Sequence, residues 1–405
     1  MSEAQSGRFI WWRSKPYLLL TAITFMNFAS TGISRPLFSL RAQDLGATLL
    51  QIGLIGTVGR IVVLGLQYLW GGGSDLLMRR KPLLMIGMAV SALTTWAVGL
   101  AGSWQPLSWI QGVAAFGTSA YSVGSLALIG DMLEGQANRG RLMGLHRGLG
   151  SLAFGIAALF GGSLADRYST AAPFLVGGCF VAIGFVLTCF LKEAPASAHA
   201  PSAVEAASQP APDEGKITWA KLLWVLPFLA VVFAWFFAEA SAFSFWPVYM
   251  VGKGLSMTVV TRLWGIAAIG ETGAMVLAGY LSDRWGSKRV IGFGIAGMGL
   301  LFVGYTFASG LSLLIPMQLV RSVAYSCYSA AAMLYATEMG LRRQRGRMAG
   351  LQGTASSLGG IAGSVAGGGM SEFLGLETML RAVGGLMALV GVVGGLKMRD
   401  PRKRE

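Results

Sequence analysis

Six ionisable residues lie inside long apolar runs of this 405-residue sequence, where they can do chemistry that a surface charge cannot. On scales of insertion into lipid, each such charge costs ~2.5–3.5 kcal/mol near the centre of a helix, so it is a candidate for an ion or substrate pathway. A carboxylate beside an arginine can exchange that partner for a proton, which is the basis of proton coupling. The six residues are Glu239, Glu271, Arg35, Arg60, Arg147 and Arg321.

The depth of each charge below the outer membrane surface indicates which charges can meet. Glu239 lies ten residues before the outer end of its apolar run, and Arg321 lies about nine residues after the outer start of another. At ~1.5 Å per helical residue, both lie roughly 14 Å below the outer surface. Equal depth makes Glu239 and Arg321 candidate partners, as a proton-coupling pair or as a permanent structural pair, with no contact as the remaining alternative. Arg35 is expected nearer the outer edge. Arg60 is expected to extend to the lipid surface or to bind helix carbonyls.

The composition indicates that the apolar runs belong in a membrane. Hydrophobic residues make up 54% of the chain and charged residues only 12%, whereas a soluble protein has roughly 25% charged residues. The net charge of +14 comes from Lys and Arg in short segments between the runs, which is a topological pattern and not a nucleic-acid-binding surface. With two histidines, three cysteines inside apolar runs and no Walker loop, the sequence indicates no metal centre, no cofactor and no ATP-driven step.

Twelve apolar runs are long enough to cross a bilayer, which takes about 20 helical residues. The fifth and eleventh runs are rich in glycine and are the weakest. Residues 193–217, rich in Ala, Pro and Ser, predict a flexible cytoplasmic linker between an amino-terminal unit, 1–192, and a carboxy-terminal unit, 218–405. The runs lie near residues 17–40, 49–72, 83–103, 106–130, 142–164, 173–191, 222–249, 258–281, 290–308, 312–337, 348–370 and 378–396.

The basic residues predict the orientation. If both termini are cytoplasmic, the cytoplasmic segments hold 23 of the 32 Lys and Arg residues, and the outer loops hold three, Arg41, Arg167 and Lys253. This asymmetry follows the rule that basic loops stay inside. We therefore expect a multi-pass protein of a bacterial-type inner (plasma) membrane with both termini in the cytoplasm.

The two halves of the chain align with each other. Residues 35–50 match 246–260, and residues 111–132 match 318–339 at a shift of 207. Such a parallel repeat allows two helix bundles to rock about a central site.

Two loops at matching places carry one motif: GGGSDLLMRRK at 71–81, after the second run, and GYLSDRWGSKR at 279–289, after the eighth. The later loop resembles the signature loop of the major facilitator superfamily. The resemblance covers the whole chain, because the twelve runs, the repeat and the linker agree with it. It implies an all-α membrane protein whose twelve helices form two pseudo-symmetric six-helix bundles. The matching residues are Gly279, Asp283, Arg284 and Gly286.

The motif also has a physical interpretation. Asp283 ends a helix at the membrane surface, where it can meet a helix N-terminus or an arginine of the other half. Gly279 permits close helix approach, and Gly286 permits a tight turn. The resemblance implies that these loops latch the outward-open state. The other gating candidates are three residues of the degraded first copy and two arginines expected to meet the aspartates: Gly71, Asp75, Arg79, Arg141 and Arg347.

The resemblance further implies that helices one, four, seven and ten line a central cavity. Glu271 is a second candidate proton carrier, and the packing of helix five on helix eight in the resembled fold suggests Arg147 as its partner. In the repeat alignment the mates of Glu239, Glu271 and Arg321 are uncharged, so the candidate chemistry is expected in the second half. Polar and aromatic residues on the cavity helices are candidate substrate contacts: Asn27, Tyr121, Tyr328, Trp235, Gln111 and Gln318.

These features predict a secondary active transporter of a small organic solute, coupled to protons and working by alternating access, and not an enzyme. The aromatic seventh helix favours efflux. Four intramembrane arginines against two glutamates favour the alternative, proton-coupled uptake of an organic anion. A third hypothesis is a non-transporting membrane sensor or scaffold with the same fold. The expected partners are the substrate, protons and the lipid bilayer, with no nucleic acid, and the chain is expected to be a monomer.

Overall fold

The computed structural model describes residues 15–73, 80–133, 139–191, 219–339 and 345–398. Over these ranges the chain forms twelve long helices and no strand, which confirms the predicted fold class. The predicted linker, 193–217, lies outside the described residues. In chain order the helices are α1 (Lys15–Asp44), α2 (Leu49–Gly73), α3 (Lys81–Leu100), α4 (Pro106–Met132), α5 (Arg139–Arg167), α6 (Ala172–Cys189), α7 (Trp219–Ala238, continuing to Gly252), α8 (Met257–Trp285), α9 (Ser287–Phe307), α10 (Leu311–Met339), α11 (Arg345–Leu374) and α12 (Leu376–Lys397).

Ten of these helices are long and apolar enough, within the described residues, to cross a membrane on their own. The other two are α10, which carries Arg321, and α11, whose glycine-rich sequence includes the buried serines Ser357, Ser364 and Ser371. Helix α11 packs against α2 and α7, so much of its polar surface faces protein instead of lipid. The sequence predicted a weak eleventh run, and α11 is one of the two exceptions. It also predicted a weak fifth run, but α5 is among the ten.

The two halves repeat the same packing. In the first half α1 packs on α5 and α6, α3 on α4 and α6, and α2 on α4. In the second half α7 packs on α11 and α12, α9 on α10 and α12, and α8 on α10. Between the halves α5 packs on α8, and α2 packs on α11. These two contacts are equivalent under the repeat, so the halves face each other across a pseudo-twofold axis.

Helices α1 and α7 are interrupted near prolines that the repeat places at matching positions. Pro36 lies in a 3₁₀ turn, Arg35–Leu37, and Pro247 lies just after a π-helical turn, Glu239–Phe243. A proline has no N–H group and its ring clashes with the carbonyl four residues earlier, so a helix departs from regular geometry near it. Each irregular turn contains one of the ionisable residues, and π-helical turns are frequent at functional sites.

The halves meet closely at one end of the molecule, where α1 ends and α2 begins; we call this the closed end. A Cβ atom on Gly162 of α5 would lie 2.1 Å from the carbonyl oxygen of Met257, at the start of α8. A Cβ atom on Gly53 of α2 would lie 2.3 Å from the carbonyl oxygen of Ser364 in α11. Both contacts between the halves therefore depend on the absence of a side chain.

At the opposite end, where α2 and α8 end, the described glycines make no such contact between the halves; we call this the open end. Gly279 has no close approach to another described segment. Gly286 has a φ of +84°, which confirms the tight turn between α8 and α9. Asp283 and Arg284 are exposed at the end of α8. Six glycines near the open end have space around them. A Cβ atom added to any of them would meet no described atom of another segment within 4 Å: Gly65, Gly144, Gly148, Gly273, Gly279 and Gly350.

The remaining gating candidates stay predictions. Asp75 and Arg79 lie outside the described residues. Gly71 belongs to the last turn of α2, and the backbones of Arg141 and Arg347 belong to α5 and α11, but their side chains lie outside the description.

Two carboxylates stabilise the closed end in a symmetric way. Asp166, at the end of α5, accepts hydrogen bonds from the backbone N–H groups of Met257 (3.2 Å) and Thr258 (2.8 Å), at the start of α8. Glu372, near the end of α11, accepts a hydrogen bond from the N–H group of Leu49 (2.8 Å), at the start of α2. A carboxylate in this position satisfies free N–H groups and is favoured by the helix dipole. Each half therefore caps a helix of the other.

Removing both caps is expected to open the closed end more often. The double variant Asp166→Asn with Glu372→Gln keeps the side-chain sizes but loses both charges, each worth ~0.3–1 kcal/mol at a helix terminus. The population with a separated closed end should rise about 3- to 30-fold. The measurement is a distance distribution by double electron–electron resonance. The spin labels are attached at the exposed positions Tyr168→Cys and Phe373→Cys, in protein whose native cysteines have been replaced.

Glu377→Gln is the matched control, because Glu377 lies at the same end but pairs with Arg381 within α12. Its distance distribution should equal that of the parent. An unchanged distribution in the double variant would contradict a role for the caps in closure.

Candidate functional site

A cavity of about 740 Å³ lies between the two halves. This volume is within the range of pockets that hold small organic molecules, ~300–1,000 Å³. Its polar wall comes mainly from the first half, on α1 to α4, although Ser244 and Ser364 of the second half also line it. The second half contributes Glu239 and an aromatic wall: Phe236, Phe243, Phe245 and Trp264. The cavity is therefore chemically asymmetric although the scaffold is symmetric.

An ion pair across this cavity joins the two halves. The Nη2 atom of Arg35 in α1 lies 2.6 Å from the Oε1 atom of Glu239 in α7. Their side chains are 56% and 25% exposed, respectively, so the pair faces the cavity and is not buried in packed protein. The prediction that Glu239 pairs with Arg321 is therefore wrong, and the first half supplies part of the candidate chemistry.

The length of α1 explains why the depth estimate failed. The predicted first run ended near residue 40, but the helix continues through its 3₁₀ turn to Asp44. Arg35 therefore lies nine residues before the closed end of α1, at a depth of roughly 14 Å and not at the outer edge. The signal in the sequence was the position of Arg35 directly before Pro36, where an interrupted helix is expected.

Arg321 pairs instead with Glu271, and the pair lies behind the aromatic wall. Nη2 of Arg321 is 3.5 Å from Oε1 of Glu271, and the two side chains are 8% and 13% exposed. The guanidinium carbon lies 5.0 Å from the ring centre of Trp264 and 5.5 Å from that of Phe243, both of which face the cavity. The suggested partner of Glu271, Arg147, is thus not the residue that it meets.

Residues of α10 that were predicted to contact substrate are buried in the second half. Tyr328 stacks on Trp235 with ring centres 3.9 Å apart, and neither is among the residues that line the cavity. Gln318 is fully buried and donates a hydrogen bond to the hydroxyl of Tyr305 at 3.1 Å. Helices one, four and seven contribute to the cavity wall as expected, but the lining residues include none from α10.

Three predicted contact residues do line the cavity: Asn27, Gln111 and Tyr121. The hydroxyl of Tyr121 donates to Oγ1 of Thr24 at 3.2 Å. Thr24 in turn lies 3.2 Å from Nε2 of the buried His146. This chain of hydrogen bonds connects the cavity wall to the contact between α1 and α5.

Arg60 also lines the cavity, which the sequence interpretation missed. Its side chain lines the cavity, and within the described residues it makes no hydrogen bond to a helix carbonyl. The signal was its spacing from Gly53 and Gly56, since residues at i, i+3 and i+7 share one face of a helix. All three line the cavity, on the face of α2 that meets the second half.

Within the described part of the chain, no group of His, Cys, Asp and Glu residues has a geometry that could hold a metal ion. The chemistry that the site offers is that of carboxylate, guanidinium, amide and hydroxyl groups.

Comparisons with known proteins agree with this architecture. The family model for the Major Facilitator Superfamily matches residues 20–277 and 263–405. An uncharacterized MFS-type transporter of Methanocaldococcus jannaschii is 22% identical over 362 residues, 88% of each chain. A putative sugar efflux transporter of Deinococcus radiodurans is 26% identical over 340 residues, 78% of this chain and 81% of that protein. Among solved structures, the nucleoside transporter NupG has a TM-score of 0.75 at 15% identity, covering 96% of this chain and all of that one.

Twelve membrane helices in two copied halves around a central cavity define a membrane transporter. The chain belongs to the major facilitator superfamily, because the family model spans nearly its whole length. Its sequence relatives and structural neighbours are transporters and not enzymes.

The buried pair Arg321–Glu271 is expected to be a structural element. Arg321→Met alone should lower the free energy of unfolding by about 3–5 kcal/mol, because it leaves Glu271 as an uncompensated buried charge. Adding Glu271→Gln should recover most of that loss. The measurement is denaturant-induced unfolding in detergent micelles.

Glu377→Gln is the control, since its pair with Arg381 is 46% exposed on both sides and such pairs contribute ~0–1 kcal/mol. If Arg321→Met is no more destabilising than this control, the buried pair does not have the structural role assigned to it.

Proposed function

We propose that the chain is a proton-coupled secondary active transporter that exports a small organic solute through this cavity by alternating access. The observation that carries the proposal is the Arg35–Glu239 ion pair. It joins the two halves inside the cavity, and either a proton on Glu239 or a ligand on Arg35 can replace it.

The ion pair couples protonation to conformation through its place between α1 and α7. Near the closed end the terminal parts of these two helices pack on each other. Opening that end requires them to separate, which breaks the pair and leaves each charge without its partner. A proton on the Glu239 carboxylate removes one charge, and an anionic or strongly accepting ligand on the Arg35 guanidinium compensates the other.

Because either a proton or a solute can replace the ion pair, the transporter can exchange one for the other across the membrane. In the described conformation the cavity faces the open end, and a solute that binds Arg35 displaces Glu239 and permits the change of state. On the other side Glu239 takes a proton from the external solution as the solute leaves. The protonated carrier then returns, the proton passes to the internal solution, and the pair forms again. One proton enters for each solute exported.

The proposal places the open end in the cytoplasm of a bacterial-type inner membrane. The support is the distribution of basic residues, 23 of 32 of which fall in segments at that end or at the termini. A membrane-impermeant maleimide applied to intact cells tests the orientation: it should label Tyr168→Cys, at the closed end, without permeabilisation.

The alternative of organic-anion uptake rests on the excess of arginine in the cavity wall, where Arg35 and Arg60 face one carboxylate, Glu239. In uptake, proton and solute would have to move together in the same direction. Vesicles with an imposed pH gradient separate these cases, because an acidic exterior drives accumulation in symport and expulsion in exchange. A sensor that kept the fold would show neither flux.

Glu239→Gln is expected to uncouple the conformational change from pH. In the wild type, acidification should shift the Tyr168→Cys to Phe373→Cys label distances toward a separated closed end. In Glu239→Gln the separated population should be raised before acidification and should not respond to it. Arg35→Gln should also raise it, because either substitution removes the ion pair.

The same vesicles provide the functional measurement. Glu239→Gln should retain solute exchange without a pH gradient and lose gradient-driven accumulation, whereas Glu377→Gln, outside the cavity lining, should behave as the wild type. Unchanged pH dependence in Glu239→Gln would show that another group carries the proton.

A further inference from the structure

A second guanidinium in the cavity wall, that of Arg60, has no partner among the residues that the structure describes. Arg60 lines the cavity on α2, and within the described residues no hydrogen bond or ion pair of its side chain is formed. Arg35 makes one hydrogen bond there, to Glu239, and its side chain is 56% exposed, so further donors face the cavity. The charges lining the cavity thus sum to one positive charge: Arg35 and Arg60 against Glu239.

An unpaired guanidinium in such a site favours an anionic ligand. Arg35 and Glu239 line the same cavity with opposite charges, but they pair with each other and, within the described residues, neither bonds to Arg60. A guanidinium presents five N–H donors in a planar arrangement that matches a carboxylate or a phosphate with two parallel hydrogen bonds. Water alone solvates an arginine less well in a half-enclosed cavity than in bulk solution.

The hydroxyl groups around this positive charge are mainly acceptors toward the cavity. Thr31, Ser34, Thr95 and Thr118 each donate their hydroxyl proton to a carbonyl of their own helix, at 2.7–2.9 Å. Their remaining lone pairs face a ligand that itself carries O–H or N–H donors. The side-chain amides of Asn27 and Gln111 add both donors and acceptors to the wall.

We propose that the transported solute is a hydroxylated organic anion, and that Arg60 binds its anionic group. The chemistry is that of a hydroxy acid, a sugar acid or a sugar phosphate. This inference rests on the proposed function and adds the substrate class to it. A bound anion beside Arg35 competes with Glu239 for that guanidinium, which is the displacement that exchange requires.

The place of Arg60 also depends on the second half. A Cβ atom on Gly360 of α11 would lie 2.3 Å from Nη1 of Arg60. Gly360→Ala therefore moves the guanidinium while leaving its charge and its helix intact. Gly65→Ala, in the same helix as Arg60, meets no described atom of another segment within 4 Å and is the matched control.

The test is ligand-dependent thermal stability of the purified full-length protein. The probes are gluconate, glucose 6-phosphate, lactate and inorganic phosphate, each beside a neutral counterpart where one exists, glucose or lactamide. A ligand that binds the folded state raises the unfolding temperature in proportion to its occupancy and affinity. We expect at least one organic anion to raise it in the wild type, and its neutral counterpart to have no effect.

In Arg60→Gln the apparent affinity for that anion should fall about 10- to 100-fold, as expected for the loss of hydrogen bonds to a charged group. Arg60→Lys should retain part of it, Gly360→Ala should weaken it, and Gly65→Ala should leave it unchanged. Carboxylate and phosphate probes distinguish the two sources of the anionic group, and inorganic phosphate alone tests whether the hydroxylated body contributes.

Equal stabilisation of the wild type and Arg60→Gln, preference for the neutral counterpart, or stabilisation by none of the anions overturns the proposal. If anion binding depends on Arg60 but the vesicles show no flux driven by a pH gradient, the anion site stands and the proposed function fails. If flux occurs and is unaffected by Arg60→Gln, the function stands and the substrate class fails.

Discussion

The ion pair between Arg35 and Glu239 is the interaction on which the organisation of this transporter depends. It is formed by one residue from each half, in turns where α1 and α7 depart from regular helix geometry. Separating the halves breaks this pair, and each charge is then favoured by a new partner, a proton for Glu239 or an anionic ligand for Arg35. The proposed coupling follows from that exchange of partners.

Symmetry and asymmetry have different roles in the molecule. Three features occur once in each half: the helix packing, the glycine contact at the closed end and the helix cap. This repetition is expected for a structure that must bend at equivalent interfaces. The cavity wall does not repeat: polar groups come mainly from the first half, and an aromatic wall backed by Arg321 comes from the second. A solute therefore meets two unlike surfaces, which orients it during the exchange between states.

The fold could be predicted from the sequence because its signals are local. Run length and the loop with Gly279 and Gly286 depend on neighbouring residues, and the repeat is found by aligning the sequence with itself. The pairing of charges could not be predicted, because it depends on depth and on which helices face each other. Two errors led to the assignment of Arg321 to Glu239 instead of Glu271. The end of α1 was placed a few residues too early, and α10 was expected to line the cavity. Arg60 was missed because an isolated arginine in an apolar run has no sequence signal other than its helix face.

The reciprocal caps have a consequence for how the chain is assembled. The first N–H groups of α2 are satisfied by Glu372, which is 323 residues later in the chain, whereas those of α8 are satisfied by Asp166, 92 residues earlier. During synthesis α8 finds its cap already present, but α2 has to wait until almost the entire polypeptide has entered the bilayer. Contacts of such long sequence separation form late, so the contact between the start of α2 and the end of α11 is expected to form only after both bundles have been synthesised.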